Sequence, residues 1–158
     1  MTSQTFKLFA DYFQFYLQDE DTKGDLSTAW TEEAVSILLA LAPGTIGVGT
    51  VRNRFVPVTV EVVDEPPVVH LADWDHVVEC DIDVPSGRMV VAGCTEYFPD
   101  AARLVVKPGS YRARISYGDL DRLSEDRSEG EDHYHVVLWP SKPRGLQVLK
   151  QHPPLLAG

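Results

Sequence analysis

Basic side chains are scarce in this chain: 14 Lys and Arg face 24 Asp and Glu over 158 residues, a formal charge of −10. A protein that neutralises phosphates needs the opposite balance, so direct nucleic-acid binding is disfavoured and a basic protein partner fits better. Cysteine is scarcer still. Cys80 and Cys94 form no CxxC motif and no dense framework, which points to reduced thiols. Long apolar runs are missing too, since the longest helical one, residues 34–42, is too short to span a bilayer. Residues 1–7 show neither a basic region followed by an apolar run nor a small-residue cleavage site, so a cytoplasmic protein with no membrane contact is expected. What is present is 44% apolar residues. A chain of this length buries roughly 68–70% of its unfolded surface, enough for one globular domain without a metal or disulfide.

The negative surplus is concentrated in two places. Residues 1–33 hold seven acids, Asp19, Glu20 and Asp21 among them, against two bases. Residues 119–132 hold Asp119, Asp121, Glu125, Asp126, Glu129, Glu131 and Asp132 against Arg122 and Arg127. Each segment stands at −5, and the remainder is neutral.

Most of the chain alternates with period two. Val56, Val58, Val60 and Val62 share one face, as do Val78, Cys80, Ile82 and Val84, and Tyr111, Ala113, Ile115 and Tyr117. Polar residues occupy the opposite faces, the pattern of antiparallel strands with one wet side. Further strands are predicted over residues 6–17, 45–51, 88–94, 103–107 and 133–139. One helix is predicted, with Thr31 as cap, Glu32 and Glu33 at its positive end, and Trp30 stapled onto Val35. Val35, Leu38, Leu39 and Ala42 form its apolar stripe, and Pro43-Gly44 ends it. About eight or nine strands and one helix imply an all-β fold, an antiparallel β-sandwich over residues 1–140. Residues 141–158 then form a Pro-rich tail extended along the body.

Several polar groups are candidates for chemistry. His70, Asp73 and His76 fall in one polar run, and imidazoles with a carboxylate suit a divalent metal. The two His are six apart, however, in what reads as a loop entering a strand, where Asp and His are ordinary surface residues. His133 and His135 project from one strand face and form a second metal alternative, or two residues of a wet sheet. No nucleophile signature is present, and the glycines of residues 44–49 lack the strand–GxGxxG–helix context, so no cofactor is expected. Arg112 and Arg114 face Glu79, Asp81 and Asp83 as cross-strand ion pairs, while Arg52 and Arg54 are surface candidates. Segment 119–132 is either a solubilising loop or an acidic recognition surface that steers a basic partner.

Tyr12-Phe13-Gln14-Phe15, Trp30-Thr31-Glu32-Glu33-Ala34, the glycine-rich strand, Arg52-Asn53, the Val-rich strand and Pro108-Gly109-Ser110-Tyr111-Arg112 together resemble the competence protein J family over most of residues 6–117. The resemblance implies a small β-sandwich without catalytic residues that binds another protein; the family's named member inhibits a DNA-entry nuclease by binding it. Segment 119–132 and the tail have no counterpart in that pattern. The expectation is an acidic, non-catalytic protein-binding module resembling a nuclease inhibitor or toxin-immunity protein, with a basic nuclease or toxin as partner. Its contacts are expected at Asp119, Asp121, Glu125, Asp126, Glu129, Glu131 and Asp132, with Asp19, Glu20 and Asp21 as a second patch. The alternative is a metal- or small-ligand-binding β-protein using the His70 or His133 groups.

Overall fold

Eleven strands carry the fold in the computed structural model, which describes residues 2–153. Six of them form one sheet: β1 (Thr2–Phe9), β5 (Phe55–Val62), β10 (His133–Pro140), β9 (Gly109–Gly118), β6 (His76–Val84) and β11 (Gln147–Lys150), in that spatial order. The other five form a second sheet in the order β3 (Leu39–Ala42), β4 (Thr45–Gly49), β2 (Gln14–Asp19), β7 (Arg88–Gly93) and β8 (Ala102–Val105). All pairings are antiparallel except β5 with β10, which is parallel. Leu149 is bulged out of register where β11 lies on β6. Among the described residues no helix is long and apolar enough to cross a membrane.

The alternating valines behave as their spacing requires. Val56, Val58 and Val60 from β5, Val78, Cys80 and Val84 from β6, and Ala113, Ile115 and Tyr117 from β9 are all fully buried. They meet Phe15, Leu17, Ile46, Val48, Met89 and Val91 of the second sheet in one core. Each fully buried Val, Leu or Ile contributes about 1.5–3 kcal/mol of transfer free energy, so this shared core is the principal force joining the sheets. Cys80 lies inside it, where burial pushes its thiol up to about 12; Cys94 is half-buried, and both are free.

Two expected elements are corrected. The strand predicted over residues 6–17 is two strands, β1 and β2, in different sheets. The break shows in the sequence as a change of phase: Leu8 and Ala10 are buried on even positions, Phe15 and Leu17 on odd ones. A strand cannot shift phase without interruption. Here Tyr12 and Phe13 take the left-handed conformation, at φ 55° and 60°, and carry the chain between sheets. The helix is also shorter. α1 spans Glu32–Ile37, with Thr31 Oγ1 accepting from the Ala34 amide at 3.2 Å, and ends at Leu38 in the left-handed region. Leu39–Ala42 becomes β3, and Pro43-Gly44 is the turn of a hairpin that pairs Ala42 with Thr45. A short apolar run fits both periods, and pairing with β4 decides it. Val35, expected under a Trp30 staple, is exposed.

The wet face expected on β6 and β9 is covered. Glu79, Arg112, Arg114, Val137 and Trp139 are all buried on the outer side of the six-stranded sheet. Chain from two segments lies over them. Arg112 Nη1 donates to the Gly145 carbonyl at 2.5 Å, Arg114 Nη1 donates to the Pro67 carbonyl at 2.8 Å, and Asp81 accepts from the Gly145 amide at 2.7 Å. Residues 141–150 of the segment read as a tail thus cover the sheet and supply its edge strand, and residues 154–158 of it lie outside the described residues.

Candidate functional site

The acidic segment 119–132 is an irregular hairpin between β9 and β10, closed by a bridge between Leu123 and Gly130. Its turn is organised by Asp126, whose Oδ1 accepts from the Ser128 amide at 3.0 Å and from the Ser124 and Ser128 hydroxyls at 2.8 and 2.7 Å. Those bonds, the Ser128 hydroxyl first, hold the Asp126 carboxyl down to about 2. Leu120, fully buried, anchors the start of the hairpin, and its amide donates to Asp75 Oδ2 at 2.8 Å.

Its acids separate into two sets. Asp121, Glu125, Asp126, Glu129 and Glu131 are exposed, and Asp119 is half-buried. Asp132 is fully buried: it pairs with Arg52 Nε at 2.5 Å and accepts from the Tyr134 hydroxyl at 2.6 Å. That hydroxyl in turn accepts from the Val51 amide at 3.0 Å. Arg52, expected at the surface, is therefore an internal tie between the β4–β5 connection and the base of the hairpin; Arg54 stays exposed. The Asp19 group separates likewise. Asp19 is buried; burial opposes its charge, but the Ser86 and Thr22 hydroxyls and the Ser86 and Asp21 amides bond it and hold its carboxyl below the usual range. Glu20 pairs with Arg88 and, at 2.9 Å, with Arg103, while Asp21 is exposed.

The expected metal residues do not gather. His70 and Asp73 lie exposed on the loop before β6. His76 faces inward, edge-on to Tyr117 with ring centroids 4.9 Å apart. Burial pushes its imidazole below the usual histidine range. His133 and His135 project from one face, as alternation requires, but both pack on Trp74, at 5.4 and 5.7 Å, and His135 Nε2 lies 2.9 Å from Glu61 Oε2.

A groove of about 790 Å³ opens beside the hairpin. Tyr12, Phe13, Trp30, Val35 and Leu38 supply its apolar lining, Arg127 reaches it from the hairpin, and His152 and Pro153 close it from the C-terminal side. Local sequence builds it. Trp30 donates from Nε1 to Gln14 Oε1 at 2.8 Å and lies against Gly47, where a Cβ would sit 3.1 Å from the indole and 2.9 Å from Leu26. Tyr12 and Phe13 remain exposed at 70% and 47%. A left-handed bulky residue costs on the order of 1–2 kcal/mol, and two in succession persist only where neighbours hold them. Asp11 Oδ1 accepts from the Tyr12 amide, the Thr50 amide donates to the Phe13 carbonyl at 2.9 Å, and Thr95 fixes the other Asp11 oxygen at 2.9 Å. The two aromatic rings thus stand in solvent on strained backbone. Sequence reasoning placed these residues inside a strand and missed the groove, although the phase change at residues 10–13 marks it.

The same arrangement of strands is found in solved proteins. The crystal structure of ComJ, inhibitor of the DNA degrading activity of NucA, from Bacillus subtilis, superposes with a TM-score of 0.66 at 16% identity, over 89% of this chain and 96% of ComJ. This chain shares the ComJ fold. The product of crocagin biosynthetic gene J matches at a TM-score of 0.61 and 17% identity, over 90% of this chain and 100% of that one. No protein-family model matches the chain, and no curated protein does. The β-sandwich that the motif resemblance implied is present, with eleven strands and one parallel pair.

Proposed function

We propose that this ComJ-like chain is a non-catalytic inhibitor module that binds a basic nuclease or toxin through the Tyr12–Phe13 groove and the acidic hairpin at its rim. The observation that carries the reading is the pairing of the two: exposed aromatics on strained backbone line a groove that Arg127 joins to the hairpin, a segment of net charge −5. Aromatic anchors in a central pocket with a polar rim are the usual build of a protein interface. A nuclease holds DNA in a basic cleft, so carboxylates presented there compete with phosphates and speed encounter through long-range attraction. Similarity to an inhibitor of a DNA-degrading activity supports the same class. Two free thiols suit a reducing, cytoplasmic setting.

The test uses a basic DNA-degrading nuclease recovered from the protein's own cells by capture on the wild-type chain. Wild-type protein suppresses its cleavage of DNA. Replacing Glu125, Asp126, Glu129 and Glu131 with Ser slows association by about tenfold at low salt and flattens its salt dependence. Phe13→Ala leaves association unchanged and speeds dissociation by about 30-fold, the signature of a buried anchor. Unchanged kinetics in both variants would reduce the hairpin to a solubilising loop and the groove to a surface feature.

A further inference from the structure

Three metal-ligating side chains from distant parts of the chain converge at one place: Asp75 before β6, Asp121 on the hairpin and His152 beyond β11. One ligand atom of each lies within 4.8 Å of the other two, and among the described residues this is the group of three that does so. His152 is the fixed point. Its side chain is only 10% exposed, and its Nε2 stands 3.1 Å from Asp121 Oδ2. Its backbone amide donates to His76 Nδ1 at 3.0 Å, which requires Nδ1 to be an acceptor and leaves the His76 Nε2 proton for the Ile37 carbonyl at 2.6 Å. His76 is thereby occupied as an anchor, and the His152 ring is held against the two carboxylates. Asp75 accepts the Leu120 amide through Oδ2, and its Oδ1 has no hydrogen bond among the described residues.

We propose that Asp75, Asp121 and His152 bind a late first-row divalent cation of the zinc class, which ties the acidic hairpin and the C-terminal segment to the loop before β6. Two carboxylates neutralise a divalent charge, and the imidazole selects zinc-like ions over calcium or magnesium. Bonds of about 2.0–2.2 Å place neighbouring ligand atoms roughly 3.0–3.5 Å apart, so the cluster has to close by at most about 1.3–1.8 Å. Asp121, exposed and on the hairpin, has the freedom to make that movement. Water completes the coordination. The −5 charge of the hairpin raises the local cation concentration. The site differs from both groups read from the sequence, because its ligands are separated by tens of residues and share no spacing rule.

Zinc itself is the probe, with the full chain and no partner, so the outcome is independent of any inhibitor function. Calorimetric titration of wild type gives one saturable site, and excess zinc at about 100 times the dissociation constant raises Tm by roughly 5–10 °C. His152→Ala and Asp121→Asn each weaken zinc about tenfold or more and abolish the Tm shift, while His133→Ala keeps both. Near-ultraviolet circular dichroism of the metal-free variants establishes that they are folded. Absence of saturable binding at about 0.1 mM zinc overturns the proposal. So does binding that survives both substitutions, or that is lost with His133→Ala.

Discussion

The outer face of the six-stranded sheet and the acidic hairpin contain the same residue types in opposite conditions. On the sheet, Arg112 is fully buried and its guanidinium meets Glu79 at 3.3 Å, Asp81 at 2.8 Å, the Gly145 carbonyl at 2.5 Å and Gln147 Oε1 at 2.8 Å. On the hairpin, Arg122 meets Glu131 at 3.0 Å with both side chains about two-thirds exposed, at 68% and 64%. The separations are alike, and the energetics are not. Water screens the hairpin pair to a small value, whereas the sheet charges depend on one another and on the neutral groups of the chain laid over them. What decides is the chain laid over them, residues 141–147 and the loop through Pro67. Charge becomes structural under that cover and stays solvated where there is none.

The largest test breaks the covered network. Arg112→Ala leaves Glu79 and Asp81 facing an emptied guanidinium site and also removes two bonds to the β11 approach. It is expected to lower unfolding free energy by about 3–5 kcal/mol, read from the urea midpoint. A change within 0.5 kcal/mol, roughly that of a surface substitution, would remove the distinction between the regions.

Acid titration tests an intermediate case. Asp19 is buried among hydrogen bonds from Ser86 and Thr22, which hold its carboxyl below the usual range against the effect of burial. A folded value lower than the unfolded one means that this contribution is complete above the unfolded value near pH 4 and is lost as pH falls through the lower, folded value. Asp19→Asn is expected to cost about 1.5–3 kcal/mol at pH 7 and to converge on wild type as pH falls through the folded value, measured by denaturant midpoints from pH 7 downward. A constant difference between the two proteins at every pH would assign the loss to packing.

How far such features were legible depends on whether the information is local. Period two over Val56–Val62 and Tyr111–Tyr117 specifies inward faces because burial acts on alternate residues of the same strand. The matched rows Glu79, Asp81 and Arg112, Arg114 were legible for the same reason; their burial was not, since it depends on chain from residues 67 and 141–147 crossing a face that local pattern marks as wet. Asp132 and Glu131 are adjacent acids with opposite fates, decided by Arg52, eighty residues earlier. The groove and the Asp75–Asp121–His152 cluster are likewise assembled from separated segments. Only the break of phase at Tyr12–Phe13 left a mark in the sequence, and the helix period over Leu38–Ala42 misled because a four-residue strand is shorter than the window that separates the two periods.

The smallest expected effect completes the comparison from the hairpin side. Glu131→Gln removes the carboxylate that Arg122 meets, yet leaves the backbone bonds closing the hairpin, Glu131 amide to Arg122 carbonyl at 2.8 Å and Ser124 amide to Glu129 carbonyl at 2.8 Å. Arg122 also retains Asp119, at 3.7 Å. Unfolding free energy is therefore expected to change by less than about 0.5 kcal/mol, and raising salt in the wild type is expected to weaken the pair by screening. The informative measurement is a double-mutant cycle of Arg122→Ala with Glu131→Gln. A coupling near zero leaves the hairpin's charge free for recognition. A coupling above about 1 kcal/mol would place the pair with the covered network instead, as part of what holds the fold.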